Sequence, residues 1–181
     1  ANSGRWMQLG SDLQAVGASN IDIAIGKNDT VMAFYRHSNR PKAKELKRPS
    51  TWDAIPESAS NEIIINSAVN PSYNSIAADK NGVAYAAYQA SSNGQATVYK
   101  VNTTNDGWTS LGTATPGANT AAKADSLKLI IDTSGTPYLL FKDYGNSRKA
   151  SVRRYNGSSW EIVGSLGFST GAITGGDIAV N

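Results

Sequence analysis

Four tryptophans, Trp6, Trp52, Trp108 and Trp160, recur along the chain at intervals of 46, 56 and 52 residues. An indole ring suits one recognition chemistry above others, because its π face stacks on the C–H face of a sugar ring. The same ring is a large apolar body that packs as a wedge between sheets, and its presence in every unit favours that role; both readings stay open here. A cation precedes each of the last three tryptophans, at Lys47, Lys100 and Arg154. In the sequence these three read as one third-strand position, which either presents charge to an acidic glycan or forms a soluble outer edge. Trp52, Trp108, Trp160, Lys47, Lys100 and Arg154 are therefore the candidate ligand-binding residues.

Catalytic chemistry is thinly supplied. His37 is the single histidine and there is no cysteine, so the chain holds no multi-histidine metal site, no thiol nucleophile and no Cys-ligated zinc. Of 14 acidic residues, Asp29, Asp79 and Asp132 fall in or beside turns. In the third repeat Asp143 and Glu161 remain, and nothing marks them as the acid–base pair of a glycosidase. Asp79 and Asp132 lack the alternating oxygen ligands of a calcium loop. The glycines of Gly171-Ala172-Ile173-Thr174-Gly175-Gly176 do not lie between a strand and a helix, so they read as turn residues rather than a phosphate cradle. No catalytic residue, metal or cofactor is expected, and a glycoside-active hydrolase is the weakest of three functional readings.

The elements that must position these side chains are short strands. Leu127–Trp160 contains one whole unit: Leu127–Asp132, an Asp-Thr-Ser-Gly turn, Tyr138–Phe141, a third run at Lys149–Tyr155, then Asn156-Gly157 leading into Trp160–Gly164. Asp79-Lys80-Asn81-Gly82-Val83-Ala84-Tyr85 repeats the turn and second strand 53 residues earlier, and Gly26-Lys27-Asn28-Asp29 repeats it 53 residues before that with Asp and Gly exchanged. Each copy reaches its tryptophan 17 to 20 residues after the second strand. Four strands in a period of about fifty residues is the signature of a β-propeller blade. The expected fold is all-β: a β-propeller with four-stranded antiparallel blades, in repeats of roughly 20–60, 75–115 and 127–168. The pattern also predicts an outer strand of a preceding blade within 1–19, around Arg5–Gly10, and an inner strand of a following blade within 176–181. Ile63–Ile65 is expected to extend a strand, and no apolar series keeps helical spacing for ten residues.

With Asp-x-x-Gly, Tyr138-Leu139-Leu140-Phe141 and Asn156-Gly157-Ser158-Ser159-Trp160-Glu161-Ile162-Val163-Gly164 in view, the repeats resemble blades of secreted bacterial propellers whose units end in W-x-x-[IVL]-G. They are loosely similar to propeller lectins built from such repeats. That resemblance implies sites between blades that use the repeat tryptophans with nearby polar residues. The sialidase S-x-D-x-G-x-T-W box, the kelch double glycine and the WD signature are absent.

Composition narrows the rest. No apolar run approaches the ~18 residues a bilayer span requires. The net charge of +3 has no block of like charges behind it, so nothing signals nucleic acid. Abundant Asn, Ser, Thr and Gly with only 17% charged residues suit an exported, extracellular or cell-surface protein, and Ala1 suits either a processed terminus or an excised piece. The expected function is a non-enzymatic binding or adhesion module recognising glycan or protein. The alternative is a structural propeller segment with no ligand of its own, and in both cases another chain or further blades are expected to complete the ring.

Overall fold

The computed structural model describes residues 17–47, 51–54, 70–102, 104, 107–115 and 123–180. Twelve strands form three four-stranded antiparallel meanders. The first contains β1 (Ser19–Ile25), β2 (Val31–His37), β3 (Arg40–Lys47) and β4 (Thr51–Ala54). The second contains β5 (Pro71–Ala78), β6 (Ala84–Ala90), β7 (Ala96–Asn102) and β8 (Gly107–Thr113), and the third β9 (Ala124–Ile131), β10 (Pro137–Asp143), β11 (Lys149–Tyr155) and β12 (Trp160–Ile162). In each sheet the strands pair in chain order, as a propeller blade requires. Helix among the described residues is limited to two three-residue 3-10 turns, Lys27–Asp29 and Tyr144–Asn146. The preceding outer strand expected at Arg5–Gly10 and the run Ile63–Ile65 lie outside the described residues.

The turn chemistry explains the blade hairpins. Asp132 Oδ1 accepts from the backbone N–H of Ser134 and Thr136, both at 2.8 Å, and Asp79 Oδ1 accepts from Asn81 at 2.8 Å and Val83 at 3.0 Å. Gly82 and Gly135 supply the positive φ that closes each turn. In the first blade Asp29 stands in the glycine's place at φ 58, and Thr30 Oγ1 secures the turn on the Lys27 carbonyl instead.

A bulge recurs at Asn20, Tyr73 and Ser126, each at φ 52 and each 53 residues from the next. Non-glycine residues in this region cost on the order of 1 kcal/mol, so a thrice-repeated outlier has a structural purpose. Bulges re-aim the residues that follow, and here those are Asp22, Ser75 and Lys128. The Ser75 hydroxyl donates to Asp22 Oδ2 at 2.9 Å and accepts from the Leu129 N–H at 3.0 Å. The Ile76 N–H also reaches Asp22 Oδ2, and Lys128 Nζ lies 3.5 Å from Asp22 Oδ1. The inner strands of all three blades are thereby tied at one level.

Apolar seams fill the space between blades. Met32, Phe34 and Ala43 of the first blade meet Ile76, Ala86 and Tyr88 of the second, with Trp108 packed against them. Ala87, Ala96 and Val98 of the second blade meet Leu129, Leu139 and Phe141 of the third, with Trp160 on the rim. Trp160 Nε1 donates to the Leu111 carbonyl of the preceding blade at 2.9 Å, so this ring fastens one blade to the next. Beyond the third blade, Ile173 and Ile178 pack on Leu140, Ala150 and Val152. Ile178 occupies the place that Ile76 and Leu129 take in the other seams, yet Ile178–Val180 form no strand. The described residues offer no neighbouring strand with which this segment could build a ladder.

Replacing Trp160 by Ala is expected to destabilise the fold by about 3 kcal/mol, since it empties a seam and orphans the Leu111 carbonyl; a denaturation midpoint that does not move would disprove the fastening role. Alkaline unfolding provides a second measurement. Burial pushes the Tyr35 phenol up to about 12, and its hydroxyl has no hydrogen-bond partner. Burial raises Tyr88 in the same direction, with Tyr99 adding to it. The unfolded chain ionises these groups near pH 10 and so holds fewer protons than the folded one above that point. Stability should be complete below about pH 10 and fall as pH rises towards 12, a decline that Tyr35→Phe should make shallower in a pH series of urea melts.

Candidate binding groove between the second and third blades

A groove of about 550 Å³ opens where the second blade meets the third. The second blade contributes Tyr85, Lys100 and Leu111; the third contributes its Asp132–Thr136 turn, Tyr138, Arg154, Tyr155 and the Asn156-Gly157 turn. Strand pairing explains why these side chains gather there. Tyr85 lies directly across from Lys100, and Tyr138 directly across from Arg154, so two blades each carry a tyrosine beside a cation. Lys100 Nζ sits 5.3 Å from the centre of the Tyr85 ring. Arg154 is paired with Glu161, its Nε and Nη2 each 3.3 Å from Oε2.

Register corrects the reading of the three cations as one repeated position. The first-blade counterpart of Tyr85 is Met32, and Met32 pairs with Glu45, not with Lys47. Lys47 pairs with Thr51 further along β3, on a level with Asn102 and Asn156. The cause is a shorter connection between second and third strands in the first blade, where the paired residues Met32 and Glu45 are two positions closer in the chain than Tyr85 and Lys100, which a reading of charge spacing cannot see. The tryptophans are in true register: Trp52, Trp108 and Trp160 lie across from Leu46, Val101 and Tyr155.

The candidate residues therefore separate. Lys100 and Arg154 line the groove. Trp160 supports it from behind, its ring 5.5 Å from that of Tyr155 and its N–H on Leu111. Trp108 belongs to the other seam. The side chains of Trp52 and Lys47 lie outside the described residues. Tyr85, Tyr138 and Tyr155 were not singled out from the sequence, although a tyrosine recurring 53 residues apart at 85 and 138 was a usable signal.

Chemically the groove offers the half-buried phenol rings of Tyr138 and Tyr155, an ammonium group and a turn carboxylate whose Oδ1 is already engaged by backbone N–H groups, while Tyr85 on its wall is only 3% exposed and belongs to the seam. That set binds polyols: rings stack on C–H faces while charged and phenolic groups exchange hydrogen bonds with hydroxyls. It does not form an acid–base pair. Asp143, one of the two acids weighed from the sequence as a glycosidase pair, is buried and accepts from Gly145 N, Asn146 Nδ2 and Ser151 Oγ. Glu161 is tied to Arg154 and Asn156. Among the described residues no three metal-ligating side chains cluster, and no helix is long and apolar enough to cross a membrane.

No family model and no curated protein matches the chain. Solved structures do. An endo-arabinanase from Bacillus licheniformis matches with TM-score 0.51 and 13% identity over 81% of this chain and 53% of its own. A protein named as an exo-β-1,3-galactanase from Bifidobacterium bifidum matches with TM-score 0.51 and 10% identity over 80% of this chain and 50% of its own. A fucose lectin from Kordia zhangzhouensis solved with methyl-fucoside matches with TM-score 0.45 and 12% identity over 80% of this chain and 98% of its own. The chain thus spans about half the length of the two hydrolase structures. At these identities the likeness concerns the fold: three antiparallel blades in an all-β protein of the propeller class.

Proposed function

We propose that this chain is a non-enzymatic carbohydrate-binding module on a propeller scaffold, with the groove between the second and third blades as its saccharide site. The observation that carries this reading is the convergence of Tyr85, Tyr138 and Tyr155 with Lys100 on one groove that contains no acid–base pair. The two structures at TM-score 0.51 carry the names of arabinan- and galactan-cleaving enzymes, which recommends arabinose- and galactose-containing oligosaccharides as first ligands. Trp160 serves the site by holding Leu111 and Tyr155 in place. The low charged content, 17%, supports a location outside the cell.

Titration calorimetry with arabino- and galacto-oligosaccharides is expected to show binding that Lys100→Ala or Tyr155→Ala weakens about tenfold, equivalent to ~1.4 kcal/mol, without release of shorter sugars. Binding that both variants leave unchanged would place the site elsewhere. Silence across a broad glycan array would remove the carbohydrate reading.

A second reading, of a propeller segment that associates with further blades, rests on the outward face of the first blade. Ile21, Ile23 and Ile25 are 55%, 60% and 60% exposed, whereas the counterparts of Ile23 in the other blades, Ile76 and Leu129, are 3% and 1% exposed beneath a neighbouring blade. Exposure is confined to the inner strand, because Ala33 and Tyr35 on the same face are buried. Three isoleucines in a row on a flat strand form a patch that water disfavours and a further blade would cover. Light scattering is expected to show association at micromolar concentration that Ile23→Glu abolishes; a monomer in both forms would refute this reading.

A further inference from the structure

At the opposite end of β10 from the groove, three cations converge on one aromatic ring. Lys123 Nζ, Lys142 Nζ and the Arg148 guanidinium carbon lie 4.9, 5.4 and 5.3 Å from the centre of the Tyr144 ring. One carboxylate faces them. Asp125 is 2% exposed and fully engaged: Oδ2 accepts from the Tyr144 hydroxyl at 2.8 Å, while Oδ1 accepts from Ser126 Oγ at 3.1 Å and lies 3.3 Å from Lys142 Nζ. Asp143, the next acid along, is committed to its own turn and to Ser151. Lys123 and Arg148 consequently have no ion pair among the described residues, although each stands within reach of two like charges. The hydrogen bond to Asp125 pushes the Tyr144 phenol up, so Tyr144 remains a neutral ring rather than a counter-charge for the cations.

The backbone adds an independent observation. Ser147 and Arg148 turn β10 into β11 with φ 57 and 62, a geometry that favours glycine or asparagine at both positions. The first blade makes its corresponding turn with Ser38 and Asn39, and asparagine tolerates this region well. At position 148 a long arginine occupies the strained site, its N–H on the Asp143 carbonyl at 2.8 Å and its carbonyl taken by the Ile173 N–H. The turn itself has no need of the guanidinium, whose planar fork matches a planar or tetrahedral oxyanion.

The geometry points to an oxyanion site over Tyr144, in which Arg148 and Lys123 hold the carboxylate or sulfate group of an acidic saccharide, with Lys142 and Asp125 fixing the ring beneath. The site is separate from the groove, and only the saccharide nature of the anion's carrier rests on the carbohydrate reading. Binding sets one negative charge between the two unpaired cations, and Arg148 can engage the anion through two parallel N–H bonds.

Thermal unfolding titrated with sodium glucuronate and sodium sulfate, against sodium chloride at matched ionic strength and glucose as neutral control, tests the assignment. In the wild type both anions are expected to raise the midpoint in a saturable way, with chloride and glucose inert. Arg148→Gly, which relieves the turn, and Lys123→Gln should each weaken the apparent affinity for both anions at least tenfold. Arg148→Gly should leave the anion-free midpoint unchanged or higher, whereas a structural role for the guanidinium would lower it. Identical responses in wild type and Arg148→Gly would reduce the effect to general salt stabilisation and overturn the site. A response to sulfate without one to glucuronate would overturn the saccharide carboxylate. Lys100→Ala should leave the titration unchanged, so failure here and failure of the groove can be told apart.

Discussion

The Ser75 hydroxyl is the constraint on which the rest of the molecule depends. It is fully buried, donates to Asp22 of one blade and accepts from Leu129 of another, so a single oxygen joins three inner strands. Such a bond is strong because the site is dry, and it is exacting because each partner would otherwise be a buried polar group without a mate. Holding the inner strands this close requires small side chains around them. The alanines of the second blade, Ala77, Ala84, Ala86 and Ala87, meet that requirement and are all buried. The repeated bulge at Asn20, Tyr73 and Ser126 belongs to the same device, since it turns the following residue towards the neighbouring blade.

With the inner strands fixed, chemistry is left to the outer parts of the blades, and there the repeats diverge. Tyr85 with Lys100 and Tyr138 with Arg154 occupy equivalent places, while the first blade has Met32 with Glu45. An architecture that repeats thus carries a surface that does not, and the groove between the second and third blades has no counterpart of the same charge between the first and second. Fold and function separate at this level, because seams tolerate few side chains whereas the rims tolerate many. The carboxylates illustrate the division: among the described residues Asp22, Asp125 and Asp143 serve internal hydrogen bonds, and Asp79 and Asp132 shape turns.

Much of the blade architecture was legible in the sequence because it rests on local rules. Asp-x-x-Gly turns, apolar runs and tryptophans at a fixed period define four-stranded units with no knowledge of what faces what. The strands Val31–His37, Ala84–Ala90, Pro137–Asp143 and Lys149–Tyr155 fall where those rules place them. Half of the groove was also legible, in Lys100 and Arg154. The other half was not. Lys47 has the right charge at the spacing of Lys100, but a hairpin shorter by two residues moves it two positions along the strand. Tyr85, Tyr138 and Tyr155 looked like ordinary strand residues, because a tyrosine in a seam and a tyrosine in a groove have the same local pattern.

By itself the sequence determined the class of fold, the strand order within each blade and the turn chemistry, all of which depend on residues near one another in the chain. Only the tertiary structure decided which seams Trp108 and Trp160 fill, that Ser75 links three blades, that Asp143 is buried, and that Lys123, Lys142 and Arg148 surround one ring. Those facts depend on contacts that include pairs 21, 49 and 54 positions apart. At such separations each partner satisfies its own local pattern equally well alone, and pairing is settled by packing and desolvation once the blades meet.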